Sequence, residues 1–300
     1  VTDGVERLKT WIVEREATRF RKENNLPMDN VPDGKGGTRP IWTEDPIIGA
    51  YRFCNVRRED DRVTKWIAKN WRTPNQDDPD LWFAMLVARF INWPDTLEQL
   101  GYPILHTGAE AAWSLSKFLQ VMAARKARKL KCYTGAYMVR ADRDHADKAA
   151  YQEAVVFTPM WKNRYALRPK KGDTLNSYHM LLGQFHGLGS FMAAQIVADL
   201  KYVAPLSSAS DWWTFAASGP GSRRGMNRVA GRKPDAPYTE DEWRADLGRL
   251  YQKLREMPLK NEEHNLLEGL HAQDIQNCLC EFDKYERVRL GEGRPRSKYP

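Results

Sequence analysis

The chain has 300 residues, 42% of them hydrophobic and 29% charged, an ordinary globular composition able to bury a full core as one large domain or two intimately packed lobes. A formal charge of +8 favours polyanionic partners, and eleven tryptophans suit large helix contacts, base stacking or both. Cys54, Cys132, Cys278 and Cys280 lack zinc or iron–sulfur spacing, and no signal peptide or bilayer-spanning run is present, which points to a cytoplasmic protein with reduced thiols and no metal centre.

Apolar Val5, Leu8, Ile12 and Phe20 among many charges predict an exposed helix from Val5 to about Lys22, with one sticky side packed on the body. Asn24 to Arg39, with Pro27, Pro32 and Gly34-Lys35-Gly36-Gly37, reads as a surface loop. It lacks the residue order and preceding strand of a nucleotide-triphosphate loop. Thr43-Glu44-Asp45-Pro46 then starts a helix carrying Ile47 to about Trp71. On it Arg52, Asn55 and Glu59 share a face with Arg58 and Arg62 beside them, a pattern that fits a solvated ion-pair ladder or a ligand-binding face. Asp77-Asp78-Pro79-Asp80 opens a helix through Ile91, apolar nearly all round and therefore central, which Pro94 ends.

Helical pattern resumes from about Glu110 to Arg128, and Tyr133 to Val139 is a short β-like run. Helices over Asp147 to Trp161 and Thr174 to Leu182 lead to Gly187-Leu188-Gly189-Ser190, two glycines flanking an aliphatic residue ahead of an apolar helix. This is a helix-hairpin-helix pattern at about residues 175–200. Its glycines permit a tight positive-φ turn and leave the next helix's first N–H groups to face a phosphate oxygen. A plain tight turn between helices has the same residues. Asp211 follows after one helix and a short connection.

Gly219-Pro220-Gly221-Ser222-Arg223-Arg224-Gly225-Met226-Asn227-Arg228 reads as a mobile loop with a hydroxyl and three arginines, the make-up of a phosphate-gripping segment or of a basic flexible loop. Thr239-x-x-Glu242 is a capping box for a helix to about Met257. The last helix, Glu262 to about Val288, puts Glu281, Lys284, Tyr285 and Val288 on one face, where they converge on a pocket or pair internally. The basic, glycine-rich tail over 291–299 suits a phosphate contact or disorder.

Trp42-Thr43-Glu44-Asp45-Pro46, Arg52 through Asp61, Gly187-Leu188-Gly189, Asp211-Trp212, Gly219 through Gly225 and Cys280-Glu281-Phe282-Asp283-Lys284-Tyr285 resemble one family. It is the alpha-glutamyl/putrescinyl thymine pyrophosphorylase family of DNA-hypermodifying phages, and the resemblance runs over about residues 40–300. That family is similar to the helical domain of 5-hydroxymethyluracil DNA kinases and, distantly, to helix-hairpin-helix DNA glycosylases. The resemblance implies a mainly all-α, bilobal glycosylase-like fold, with residues 1–40 as an N-terminal helix and loop and 41–300 as the catalytic domain. The glycosylase superfamily carries its catalytic aspartate roughly where Asp211 stands. Two departures narrow the chemistry. Phe191 occupies the position of a lyase-type nucleophilic lysine, which removes Schiff-base chemistry, and the kinases' P-loop is missing.

The activity implied is a transferase that displaces pyrophosphate from 5-(pyrophosphoryloxymethyl)uracil in double-stranded DNA with the amine of an amino acid or polyamine. It would act without a cofactor, as a monomer, in the cytoplasm of a phage-infected host. Such chemistry must stabilise a leaving anion and position an uncharged amine, on a base taken out of the stack. Arg223 and Arg224, with Ser222 and the amides around Gly219 and Gly221, are the candidates for the pyrophosphate, ahead of Arg52 and Arg58. Asp211 would accept the amine proton, orient the incoming ammonium before proton loss, or balance positive charge building on the base; Asn55 and Gln273 would meet the uracil edge, Glu281 or Lys284 would hold the amino acid donor, and Tyr285 is a further substrate contact. Gly187, Leu188, Gly189, Ser190 and Arg228 are the DNA contacts. A base-excising glycosylase and a non-catalytic DNA-binding helical module are the alternatives.

Overall fold

The structure, a computed structural model, describes residues 2–32, 36–107, 110–135, 144–257 and 267–295. It is mainly helical, as expected, and its contacts divide it into two compact units, Val1–Asp61 with Ala216–Pro300, and Arg62–Phe215. The first unit opens with α1 (Thr2–Glu23), a hairpin of β1 (Asp29–Pro32) and β2 (Thr38–Ile41), and α2 (Pro46–Ala50). The second holds α3 (Arg62–Ile67), α4 (Leu81–Ile91), α5 (Pro94–Leu100), β3 (Ile104–Thr107), β4 (Glu110–Trp113) and α6 (Leu115–Ala127). It continues through α7 (Lys148–Tyr151), α8 (Thr158–Lys162), α9 (Arg164–Leu167), α10 (Leu175–Gly183) and α11 (Gly189–Leu200). The first unit then closes with α12 (Pro220–Val229), α13 (Glu240–Glu256) and α14 (Ala272–Arg289). Among the described residues no helix is long and apolar enough to cross a membrane.

The first unit's core lies where α1, α12, α13 and α14 meet. Val5, Leu8, Trp11 and Ile12 of α1 are buried with Trp243, Leu247 and Leu250 of α13 and Ile275, Leu279 and Phe282 of α14. The spacing that predicted a sticky face on α1 therefore builds core. In the second unit every residue of α4 is buried, as its all-round apolar pattern required. Its one charge, Arg89, meets Asp199 of α11 through two bonds of 2.6 Å and also reaches Asn92 and Thr64 at 3.1 Å, so the buried ions are paired and hydrogen-bonded. Asn92, at φ 47°, ends α4 ahead of Pro94.

Several expectations are corrected. The loop over Asn24 to Arg39 contains the β1–β2 hairpin, and Glu110–Trp113 is a strand ahead of α6. The helix expected from Ile47 to Trp71 is not continuous. It stops at Ala50, becomes extended, makes a short 3-10 turn at Arg58–Asp60 and resumes as α3 in the other unit. The cause lies in distant partners. Arg15 donates to the Phe53 carbonyl at 3.2 Å, Asn277 to the Asn55 carbonyl at 2.9 Å, and the N–H groups of Cys54 and Arg58 donate to Glu281 and Asp274. These side chains satisfy the backbone where helical bonds would otherwise do so. The last helix starts at Ala272, and residues 258–266, 136–143 and 296–300, where parts of the expected helix, β-like run and tail fall, lie outside the described residues.

The segment from Gly219 to Arg228 is a helix, not a mobile loop. Pro220 supplies a preset φ in its first turn, and the Ser222 Oγ accepts the Gly219 N–H at 2.9 Å. Its glycines serve close packing. A Cβ on Gly225 would lie 2.1 Å from the Leu279 carbonyl oxygen of α14, and one on Gly221 would lie 3.2 Å from the Cys280 Sγ.

Candidate active site

In the first unit the extended stretch after α2 runs against α14. Its side chains alternate as extended backbone demands, with Tyr51 and Phe53 buried and Arg52 and Cys54 exposed. The Cys54 N–H donates to Glu281 Oε2 at 3.1 Å, and Lys284 Nζ lies 2.6 Å from Glu281 Oε1. Glu281 is 4% exposed, so its charge depends on these partners. Burial lowers the Lys284 pKa, but the charge and hydrogen bond of Glu281 outweigh it and hold the group above the ordinary lysine value, as an ammonium. Burial, reinforced by Glu281, pushes the neighbouring Cys280 thiol up to about 12. The Tyr285 hydroxyl donates to Asp45 Oδ2 at 2.8 Å, and burial together with that bond raises its pKa.

Glu281, Lys284 and Tyr285 thus share a face as their spacing predicted. Cys54 and Asp45 complete the group; both lie in stretches that carry the family resemblance, but neither was among the candidate site residues. The other oxygen of Asp45 caps α2 through Ile47 and Ile48 at 2.8 and 2.9 Å. An ammonium fixed by a buried carboxylate can receive an anionic group, and Arg52 is exposed on the stretch that runs against α14.

The remaining first-unit candidates do less at this place. Asn55 takes Arg15 at 2.6 Å and donates to the Asp60 carbonyl at 2.9 Å, so both ends of its amide shape the chain. Arg58 has its N–H on Asp274 and its guanidinium 3.6 Å from Glu59. Gln273 is buried, and its Oε1 has no hydrogen-bond partner among the described residues. The arginines of α12 diverge. Arg223 donates to Ser218, the Tyr238 carbonyl and Glu240 at 2.7, 2.8 and 3.0 Å. Arg224 pairs with Asp283 at 3.2 Å and with Asp235. Arg228, 7% exposed, pairs with Asp283 at 2.7 Å and with Glu292. Arg287 adds a third guanidinium to Asp283 at 3.4 Å. Sequence reasoning missed Asp283 as a hub, although Arg287 at i+4 was a signal.

In the second unit α10 and α11 pack on each other on either side of the expected turn. Gly187 has φ +85° and Gly189 φ +50°, and a Cβ on Gly187 would meet Val156 Cγ2 at 2.9 Å. Leu188 is buried, while Ser190 is exposed with its carbonyl 3.0 Å from His179 Nε2. Asp211 sits half-buried on this same hairpin. Its two oxygens accept the N–H groups of Leu175 and Asn176 at 2.8 and 2.9 Å, closing the first turn of α10. Its loop is held by Lys201 and Trp212, which exchange bonds of 2.9 and 2.7 Å.

A family model described as "5-hmdU DNA kinase, helical domain" matches residues 3–294. Among curated proteins the chain is similar to the "5-hmdU DNA kinase" of Bacillus phage SP10, with 26% identity over 274 residues. That alignment covers 84% of this chain and 41% of the relative, so the chain spans under half of the relative's length. No solved structure matches.

Proposed function

The chain belongs to the 5-hmdU DNA kinase helical-domain family, and on that premise we propose that it is an enzyme of phage thymine modification, transferring an amine onto a modified base in DNA. The match across residues 3–294 is the observation that carries this reading. The step proposed for these residues is the one after phosphorylation. In that step the bond between the uracil 5-methylene carbon and the pyrophosphate oxygen breaks, and pyrophosphate leaves with the electron pair. The amine nitrogen's lone pair forms the new C–N bond, and its proton passes to a base or to water.

Lys284, held as an ammonium by Glu281, and the exposed Arg52 receive the leaving anion. Asp211 acts as a positioning residue that closes the first turn of α10, the helix leading into the Gly187–Ser190 turn that would meet a DNA strand. The donor is an amino acid or a polyamine, the substrate is duplex DNA in an infected host, and the protein works as a monomer.

The test is incubation with duplex DNA carrying pyrophosphorylated 5-hydroxymethyluracil and a mixture of amino acids and polyamines, followed by digestion to nucleosides and mass spectrometry. An aminated nucleoside with one pyrophosphate released per adduct supports the reading. Abasic sites would replace it with base excision, and DNA binding without either product would leave only a binding module.

A further inference from the structure

We propose that residues 162–171 form a second DNA-backbone contact beside the hairpin turn, with Lys162, Arg164, Lys170 and Lys171 on phosphates and Tyr165 against a sugar or base face. The inference rests on the reading of the chain as a DNA-acting enzyme and names a surface that reading does not contain. Five of these ten residues are cations and none is a carboxylate. Lys162, Lys170 and Lys171 are exposed. The nearest acid in sequence, Asp173, accepts the Lys170 N–H at 2.7 Å. A solvated basic face would need no aromatic, yet Tyr165 stands 63% exposed at its centre.

Tyr165 is also held in place. The Arg164 guanidinium lies 4.2 Å from its ring centroid and donates to its hydroxyl at 2.8 Å, and the Arg168 guanidinium lies 4.6 Å from the same ring. Arg168 is anchored in turn by two bonds of 2.8 Å to Asp80, which is fully buried. A rigid, exposed ring flanked by guanidiniums buries no core and fixes no helix. It matches the stacking platforms on which nucleic-acid strands rest.

The patch is also built into the hairpin's framework. Buried Tyr178 of α10 donates to the Leu167 carbonyl at the end of α9 at 2.9 Å, and the Gly187 turn packs against Val155 and Val156, just ahead of α8. A strand held at the turn therefore has a fixed cationic surface in the same unit. Phosphate contacts of this kind supply affinity and salt dependence, not sequence choice.

The experiment is fluorescence anisotropy of a labelled unmodified duplex over a salt series, with the full chain and three variants. Lys162→Ala/Lys170→Ala/Lys171→Ala should make the slope of log affinity against log salt shallower by about 2–3 and weaken binding at low salt by about tenfold or more. Tyr165→Ala should weaken binding by about fivefold or more with the slope kept. Lys253→Ala, an exposed lysine on α13, should change neither. A triple variant with the parent's slope and affinity and an unchanged melt overturns this surface alone. A parent chain with no DNA affinity overturns both the surface and the DNA-acting reading. Weakened binding by the variant, in a protein whose parent makes no aminated product, supports the surface while the transferase reading fails.

Discussion

Gly225 and Leu279 bring two helices together backbone on backbone, because a single Cβ at Gly225 would stand 2.1 Å from the Leu279 carbonyl oxygen. The atom it would strike is main chain in the middle of α14 and has nowhere to move. Gly225→Ala should therefore cost about 3 kcal/mol or more in urea unfolding. Gly248→Ala is the counterpart. That glycine is exposed on α13 with no atom within 4 Å of a built Cβ, so alanine should stabilise by about 0.5–1 kcal/mol. Equal midpoints for the two variants would refute the close-packing account.

Asp211 carries a second expectation. Since its carboxylate closes the first turn of α10, Asp211→Ala should lose about 1–2 kcal/mol and speed exchange of the Leu175 and Asn176 amides. Asp211→Asn keeps one acceptor oxygen and should fall between. Unchanged amide protection in the alanine variant would show that the aspartate does not hold the hairpin.

The Glu281–Lys284 pair predicts an alkaline limb. The folded Lys284 pKa lies above its ordinary 10.5, so its stabilisation is complete below that value and is lost as pH rises through the folded value. Lys284→Gln should flatten stability against pH in that range. Glu281→Gln should cost about 1.5–3 kcal/mol near neutrality, because a half-buried ammonium loses its charged acceptor. In the transferase assay Lys284→Ala should lower product formation while duplex affinity stays near the parent's.

Glu240 predicts the acid limb. Burial raises its pKa, but the Ser218 bonds and Arg223 outweigh burial and bring it below the ordinary 4.5. Its contribution is present above that value and disappears as pH falls through the folded one. Glu240→Gln should remove this part of the acid sensitivity, and Arg223→Ala should remove much of it and destabilise the Ser218 turn. A pH profile identical to the parent's in both variants would mean that the pairing contributes nothing.

Much of the architecture was legible because its signals are local. Periodicity placed α1, α4, α10, α11 and α13, and the Thr239–Glu242 capping box is present, with Glu242 Oε2 accepting the Thr239 N–H at 2.9 Å. The Glu281, Lys284 and Tyr285 face followed from spacing alone. The stretch after Ala50 was misread because its helical spacing is genuine while its backbone partners lie elsewhere. Cys54 meets Glu281 227 positions away, a distance no window can span. Gly219 to Arg228 was misread because glycine signals mobility by itself and close contact once a second helix is known.

The sequence by itself determined the helical class, the turn glycines, the caps and the relation to the 5-hmdU DNA kinase helical domain, since each depends on residue identity and near neighbours. The tertiary structure decided which charges have internal partners. Arg223, Arg224 and Arg228 are indistinguishable from ligand-binding arginines until Glu240 and Asp283 are placed beside them. Pairing depends on separations of a few ångströms between residues far apart in the chain, and only the packed helices set those separations.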